Sequence, residues 1–253
     1  MKVETSIVQI KDVVLKNPIM IEGLPGIGHV GKLVAEHMVE ELGAEKIIEI
    51  YSSHFPPQVL VMKDGTVELA KNEVYAWSGG KHDLLLLVGA YQSTTNVGHY
   101  DLTEVYLDIA QKYGVKRIYT LGGYGVGHLV EKPRVLGAVN NIDLVGEMKK
   151  YGVSFEEDEP GGGIIGASGL LLGMGQQRGI DAVCLMGETS GYLVDPESAQ
   201  AVLKSLSKAL GMKIDMRALE NRAKEMEKII ARLREMEQAP EIAPIEEDLS
   251  YIG

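Results

Sequence analysis

The segment Gly26-Ile27-Gly28-His29-Val30-Gly31-Lys32-Leu33 carries the glycine spacing of two phosphate-binding motifs. It fits G-x-G-x-x-G, the dinucleotide fingerprint, and the first seven positions of the phosphate loop G-x-x-x-x-G-K. An apolar run from Pro18 to Ile21 precedes it and a helical pattern from Gly31 to Leu42 follows, the placement that either motif needs. Both fit poorly in detail. The phosphate loop needs a Ser or Thr hydroxyl after the lysine to ligate Mg²⁺, and Leu33 has none. A dinucleotide site needs an acid about twenty residues on to hold the ribose. Glu49 lies near that distance but sits between Ile48 and Ile50 in a strand-like run. Pro25 also removes one possible N–H donor. Gly23, Gly26, Gly28 and Gly31 are therefore expected to allow a tight strand-to-helix turn and close helix packing.

His29, His99 and His128 each lie beside a Gly-rich loop that could end a strand. In an open α/β sheet such loops meet at the carboxyl edge, together with Tyr91, Gln92 and the run Gly187 to Tyr192. A histidine and Glu188 could form a general acid–base pair there; alternatively, these groups satisfy loop backbone and cap helices. The six histidines show no metal-binding spacing such as H-E-x-x-H. The one cysteine, Cys184, sits in the apolar run Ala182 to Met186, which excludes an intrachain disulfide and a cysteine metal cluster. Ser168 in Gly166-Ala167-Ser168-Gly169 lacks the G-x-S-x-G frame of a nucleophile elbow. No metal and no cofactor are expected.

The elements that would position these residues alternate along the chain. Asn17–Glu22, Lys46–Tyr51, Asp83–Gly89, Arg117–Leu121, Val135–Val139 and Asp181–Met186 have strand character, and Leu84 to Val88 is apolar enough to be buried on both faces. Lys32–Leu42, Asp101–Tyr113 and Pro196–Leu210 have helical character. Asp101 with Glu104 suggests a capping box, Gly114 a C′ residue, and Asp195-Pro196 a helix start. Val59–Met62 and Val67–Ala70 flank Asp64-Gly65, a hairpin signal, and Val74–Trp77 could add a third strand to that insertion, near 55–80. The alternation implies an α/β three-layer sandwich around a mostly parallel sheet.

The expected organisation is a core over residues 1–212, a helix over 213–237 and an acidic tail over 238–253. In the helix, Met216, Leu219, Ala223, Met226, Ile230 and Leu233 recur at alternating spacings of three and four, a heptad seam. A helix this short needs a partner, either its own domain or another subunit, and Met216, Leu219, Met226, Ile230 and Leu233 are the candidate oligomerisation residues. The tail carries Pro240, Pro244 and four acids without a base, then ends Leu249-Ser250-Tyr251-Ile252-Gly253. An apolar tip on an acidic linker suggests a docking element, with Leu249, Tyr251, Ile252 and Gly253 as the partner-binding candidates.

With 25 Lys and Arg against 36 Asp and Glu, the net charge of −11 argues against nucleic acid as a main partner. No signal-peptide core opens the sequence and no apolar run is long enough to span a bilayer, so a cytoplasmic protein with no membrane partner is expected.

Taken in order, several motifs resemble those of the proteasome-assembly chaperone two family, and most of all its archaeal homologues. They are Gly23-Leu24-Pro25-Gly26-Ile27-Gly28-His29-Val30-Gly31, Leu84–Val88 running into Gly89-Ala90-Tyr91-Gln92, Gly163–Leu171, Gly187–Tyr192 and Asp195–Ala199. The resemblance covers roughly residues 15–210. It implies a nucleoside-phosphorylase-like fold used without known catalysis, a homo-oligomer, and proteasome subunits or another assembly-related protein as partner. It also implies a flexible C-terminus ending hydrophobic–Tyr–any residue, whose tip enters pockets between proteasome α-ring subunits. Here Tyr251 is third from the end and Ser250 precedes it, which displaces the carboxylate by about 3.5 Å when extended. The alternative function is a nucleoside phosphorylase or hydrolase at the Gly-rich edge, and a third is a nucleotide-gated switch at Gly26 to Lys32.

Overall fold

The computed structural model describes residues 5–156 and 161–238, with side chains through Met226 and at Lys228. In chain order the elements are β1 (Thr5–Gln9), β2 (Ile19–Gly23), α1 (Val30–Leu42), β3 (Glu45–Ser52), β4 (Val59–Val61), β5 (Val67–Leu69), β6 (Asn72–Trp77), β7 (Leu84–Gly89) and α2 (Asn96–Lys112). The second half adds β8 (Arg117–Gly125), β9 (Val135–Val139), α3 (Asp143–Lys150), β10 (Val153–Ser154), α4 (Ala167–Gln177), β11 (Asp181–Thr189), α5 (Pro196–Leu210) and α6 (Arg217–Gln238).

Nine strands form one sheet in the order β1-β3-β6-β7-β2-β8-β11-β9-β10. Its centre, β7-β2-β8-β11, is parallel. On one side β6, β3 and β1 extend it by antiparallel pairing. On the other, β9 is antiparallel to β11 and parallel to β10. The sheet is thus mixed, where a mostly parallel one was expected from the sequence. Parallel neighbours need crossover connections, such as α3 between β9 and β10, whereas β6 and β7 follow one another through a short loop and pair antiparallel.

Every residue of β7 is buried, because helices cover both faces. Under α2 and α4, Met20, Leu85, Leu87, Ile118 and Cys184 form one apolar layer with Tyr106 and Leu171. On the opposite face Ile21, Leu86, Leu121 and Leu185 pack against Val34 and Met38 of α1, Met148 of α3 and Leu203 of α5. Neighbouring residues of β2 therefore serve opposite cores, as the strand period of two requires.

Three local expectations are corrected. Helix α2 starts at Asn96, with Thr95 as N-cap accepting from the Gly98 N–H at 3.1 Å. Asp101 and Glu104 lie inside it, and Glu104 pairs with Arg178 beyond α4, as does Asp108 at 2.6 Å. Strand β6 joins the nine-stranded sheet, so the insertion is only the hairpin β4–β5. The Gly-rich stretch after Leu121 remains strand through Gly125, in register with β11. Gly114, at φ +78°, and Asp195, which caps α5 by accepting from Ser198 N–H at 2.9 Å, stand where the sequence places them.

Candidate functional site

The turn from β2 into α1 lies at the carboxyl edge of the parallel strands. Its glycines are set by close approach. A Cβ on Gly31 would stand 2.1 Å from the Leu121 carbonyl oxygen, and one on Gly23 would stand 2.4 Å from the Gly31 carbonyl oxygen. Gly28 has φ +62° and a Cβ there would meet Thr189 Oγ1 at 2.9 Å. Gly26 differs, with extended backbone and open space around it. The turn is packed from above as well: the Asp195 N–H donates to the Gly28 carbonyl at 2.9 Å. Lys32 pairs with Glu36 at 2.8 Å, one helical turn on. Glu49 lies on β3, which β6 and β7 separate from β2. There it is held by Lys46 at 2.7 Å and Lys71 at 2.8 Å, which keep its carboxyl down to about 2. A dinucleotide fold needs that acid on the strand beside β2. The topology leaves Glu49 no such role.

Glu188, near the end of β11, is clamped by Arg134. The guanidinium Nε donates at 2.9 Å and a terminal nitrogen at 2.5 Å to one oxygen, while the Arg134 backbone N–H donates to the other at 2.9 Å. The pairing holds the carboxyl below its usual range, with the backbone N–H and the charge of His128 adding to it. A carboxylate kept ionised in this way is a poor general acid at neutral pH. His29 is exposed at the start of α1 with φ +53°, and His128 is exposed and bonded to its neighbour Val126. His99 is half-buried in the first turns of α2, where burial lowers its pKa. Among the described residues no hydrogen bond joins these histidines to one another or to Glu188. No group of three or more His, Cys, Asp or Glu among them is placed to hold a metal.

The group that sequence reasoning missed is Glu22. It lies within the strand assigned to the core, and it is fully buried. Its Oε1 accepts the Leu24 N–H at 3.0 Å and its Oε2 accepts the Ser168 hydroxyl at 2.8 Å. Burial pushes the carboxyl up to about 7 against those two hydrogen bonds. Thr120 and Cys184 follow it in register across β8 and β11. Burial likewise drives the Cys184 thiol up to about 12, so it is no nucleophile at neutral pH. Beside this row, Tyr106 donates its hydroxyl to the Asn72 amide oxygen at 2.7 Å, and the Asn72 nitrogen donates to the Tyr91 carbonyl at 3.0 Å. Gln92 completes the arrangement: it donates to the Pro25 carbonyl at 2.7 Å and accepts from Ala167 N–H at 3.0 Å. Glu22 and Gln92 thus fasten the β2 turn, the β7 exit and the start of α4 together. The available signal was an acid following four consecutive core residues, Pro18 to Ile21.

The seam of α6 divides. Leu219 is fully buried and Ala223 nearly so, with Leu219 in the core against α1 and α5 and Met216 packed on that core. The His37 Nε2 hydrogen-bonds the Asp215 carbonyl at 2.6 Å and fixes the helix start. Met226 is half-buried beside Leu129, Leu193 and Val194. Met216 and Leu219 thus meet the chain's own domain, one of the two partners that the seam allows. Ile230 and Leu233 follow on the helix, and their side chains lie outside those described. Leu249, Tyr251, Ile252 and Gly253 also lie outside the described residues. Among the described residues no helix is long and apolar enough to cross a membrane.

Known proteins share both the sequence and this architecture. The PAC2 family model matches residues 20–234, and the chain belongs to the PAC2 family. An uncharacterized protein of Methanocaldococcus jannaschii is 45% identical over 251 residues, covering 97% of this chain and 96% of that one. The crystal structure of Pyrococcus furiosus PbaB, an archaeal proteasome activator, is similar at 45% identity and a TM-score of 0.87, covering 91% of this chain and 99% of that one. Pyrococcus furiosus PbaA, an archaeal homolog of proteasome-assembly chaperone, is similar at 25% identity and a TM-score of 0.77, covering 92% of each chain.

Proposed function

We propose that this protein is a non-enzymatic proteasome-binding factor that associates into a homo-oligomer and presents its C-terminal segments to a proteasome. The observation that carries this reading is the likeness to PbaB, which at 45% identity extends over 99% of that chain. The α/β core of residues 1–212 serves as the body, the helix over 213–237 as the stem, and 238–253 as the presented segment. Leu249, Tyr251, Ile252 and Gly253 make the contact, with Tyr251 as a rigid aromatic anchor of the kind that dominates interface energies. Copies of the segment on one assembly give avidity without new contacts. The site chemistry supports a role without catalysis, because Arg134 neutralises Glu188 and Lys32 is paired with Glu36. The setting is cytoplasmic, without nucleic acid or membrane as partner.

The test is peptide hydrolysis by purified proteasome core particles with the full chain or with a chain lacking residues 239–253. The full chain is expected to bind and alter hydrolysis, and the truncated chain to do neither. Equal binding by the two forms would refute the role of the tail.

A further inference from the structure

The amino edge of the parallel strands, opposite the glycine turn, holds a cavity of about 510 Å³. Ile19, Arg117 and Asp181 stand level there at the starts of β2, β8 and β11. The end of α3 supplies Glu147 and Tyr151 to its wall, and the end of α5 supplies Ala209. The acids of this cavity already have a partner: Arg117 pairs with Glu147 at 2.8 Å and reaches Asp181 at 3.7 Å. Two of its bases do not. Lys81 and Lys116 line the same cavity, are exposed, and form no ion pair among the described residues. In a chain of net charge −11, two lysines left without a carboxylate beside one cavity make a local positive field.

The helix ends at this edge act against an anion, because each carries roughly half a negative charge. Lys149 and Lys150 in the last turn of α3 and Lys208 in that of α5 outweigh them. A further donor faces the cavity from within. Tyr119 lines it yet is only 1% exposed. Arg117 hydrogen-bonds the Tyr119 hydroxyl. A guanidinium only donates, so the phenol oxygen accepts and its own proton is left for another acceptor. Among the described residues that proton meets none. Buried polar groups are normally satisfied, so an acceptor in the cavity is the missing partner.

We infer that this cavity binds a small organic phosphate, held by Lys81, Lys116 and the Tyr119 hydroxyl. A phosphate monoester carries about −1.5 to −2 charges at neutral pH and has three acceptor oxygens. That matches two unpaired ammonium groups and one O–H donor, whereas a carboxylate would neutralise only one lysine. Pro18, Ile19 and Tyr151 then cover the organic part of the ligand. The volume lies within the range of small-molecule cavities and leaves room for more than the phosphate alone. The site is independent of the glycine turn at the other edge and of the C-terminal segment, so it stands or falls apart from proteasome binding.

The experiment is calorimetric titration of the full chain with phenyl phosphate, and separately with inorganic phosphate and with phenol as the two halves of that probe. Phenyl phosphate is expected to bind at one site per chain, and each half at least about tenfold more weakly. Lys81→Ala/Lys116→Ala should weaken phenyl phosphate at least about tenfold, and Tyr119→Phe, which keeps the ring, at least about threefold. Lys63→Ala/Lys132→Ala, at exposed lysines outside the cavity, should bind like the wild type. All four lysines are exposed, so both lysine variants should unfold like the wild type. A wild type that binds no phenyl phosphate overturns the proposal, as does wild-type affinity in the Lys81/Lys116 or the Tyr119 variant. An equal loss in the Lys63/Lys132 variant marks diffuse attraction to the surface and also overturns it. Inorganic phosphate binding as tightly as phenyl phosphate overturns the assignment of an organic ligand.

Discussion

Replacing Glu22 by Gln isolates the energetic effect of one buried carboxyl. Gln has nearly the same shape; its oxygen can accept from Leu24 N–H and its amide can meet the Ser168 hydroxyl, the two partners of Glu22. The gap between 4.5 and a folded value of about 7 corresponds to about 3 kcal/mol at 1.36 kcal/mol per pH unit. Its sign follows from proton binding. Below pH 4.5 the carboxyl is protonated in both states and costs nothing. As pH rises from there, the unfolded chain releases the proton first while the folded chain retains it, so stability falls. The loss is complete once pH passes about 7. Tyr106 and Cys184, which face Glu22, stay neutral through this window because burial raises both. The lowered His99 acts equally in both proteins and cancels in their difference. Guanidinium unfolding should show the Gln variant close to wild type at about pH 4 and more stable by about 3 kcal/mol at about pH 8. A difference that stays constant across this range would refute the assignment of a neutral, buried carboxyl.

Two further perturbations probe the scaffold. Leu219→Ala should destabilise the chain by about 2–5 kcal/mol in the same assay, as expected for a core leucine; no loss would return Leu219 to a purely intersubunit role. Gly31→Ala should cost at least about 2 kcal/mol because its Cβ meets the Leu121 carbonyl, whereas Gly26→Ala should stay within about 0.5 kcal/mol. Thermal unfolding of the pair separates packing from phosphate binding as the reason for the motif, and equal costs at the two positions would contradict the packing account.

Much of the strand and helix pattern was legible because burial enforces periodicity. Leu84 to Val88 declared a two-sided core strand, and Asp195-Pro196 declared the start of α5. Helix α2 was placed too short because Asn96, Gly98 and His99 are indifferent helix formers, while Asp101 and Glu104 imitate a cap. Helix α3 and strands β1 and β10 went unassigned because short elements carry little periodic signal. The candidate site was only partly visible. Glu188 and Gln92 were flagged at the correct edge, but Arg134 sits 54 residues before Glu188, and nothing local announces their pairing.

The sequence by itself determined the α/β class, the glycine turn, the hairpin at Asp64-Gly65 and the family resemblance, because each depends on local composition and spacing. Only the tertiary structure decided what those features face. Strand order moved Glu49 away from β2 and made the sheet mixed. Burial turned Glu22 from an apparent strand residue into a near-neutral carboxyl joined to Ser168. Packing took Leu219 into the chain's own core and left Val61 and Val67 outside it. The physical reason is common to all of these. Local spacing fixes which face of an element a residue occupies, but energies of charge, desolvation and close contact depend on what the folded chain brings against that face.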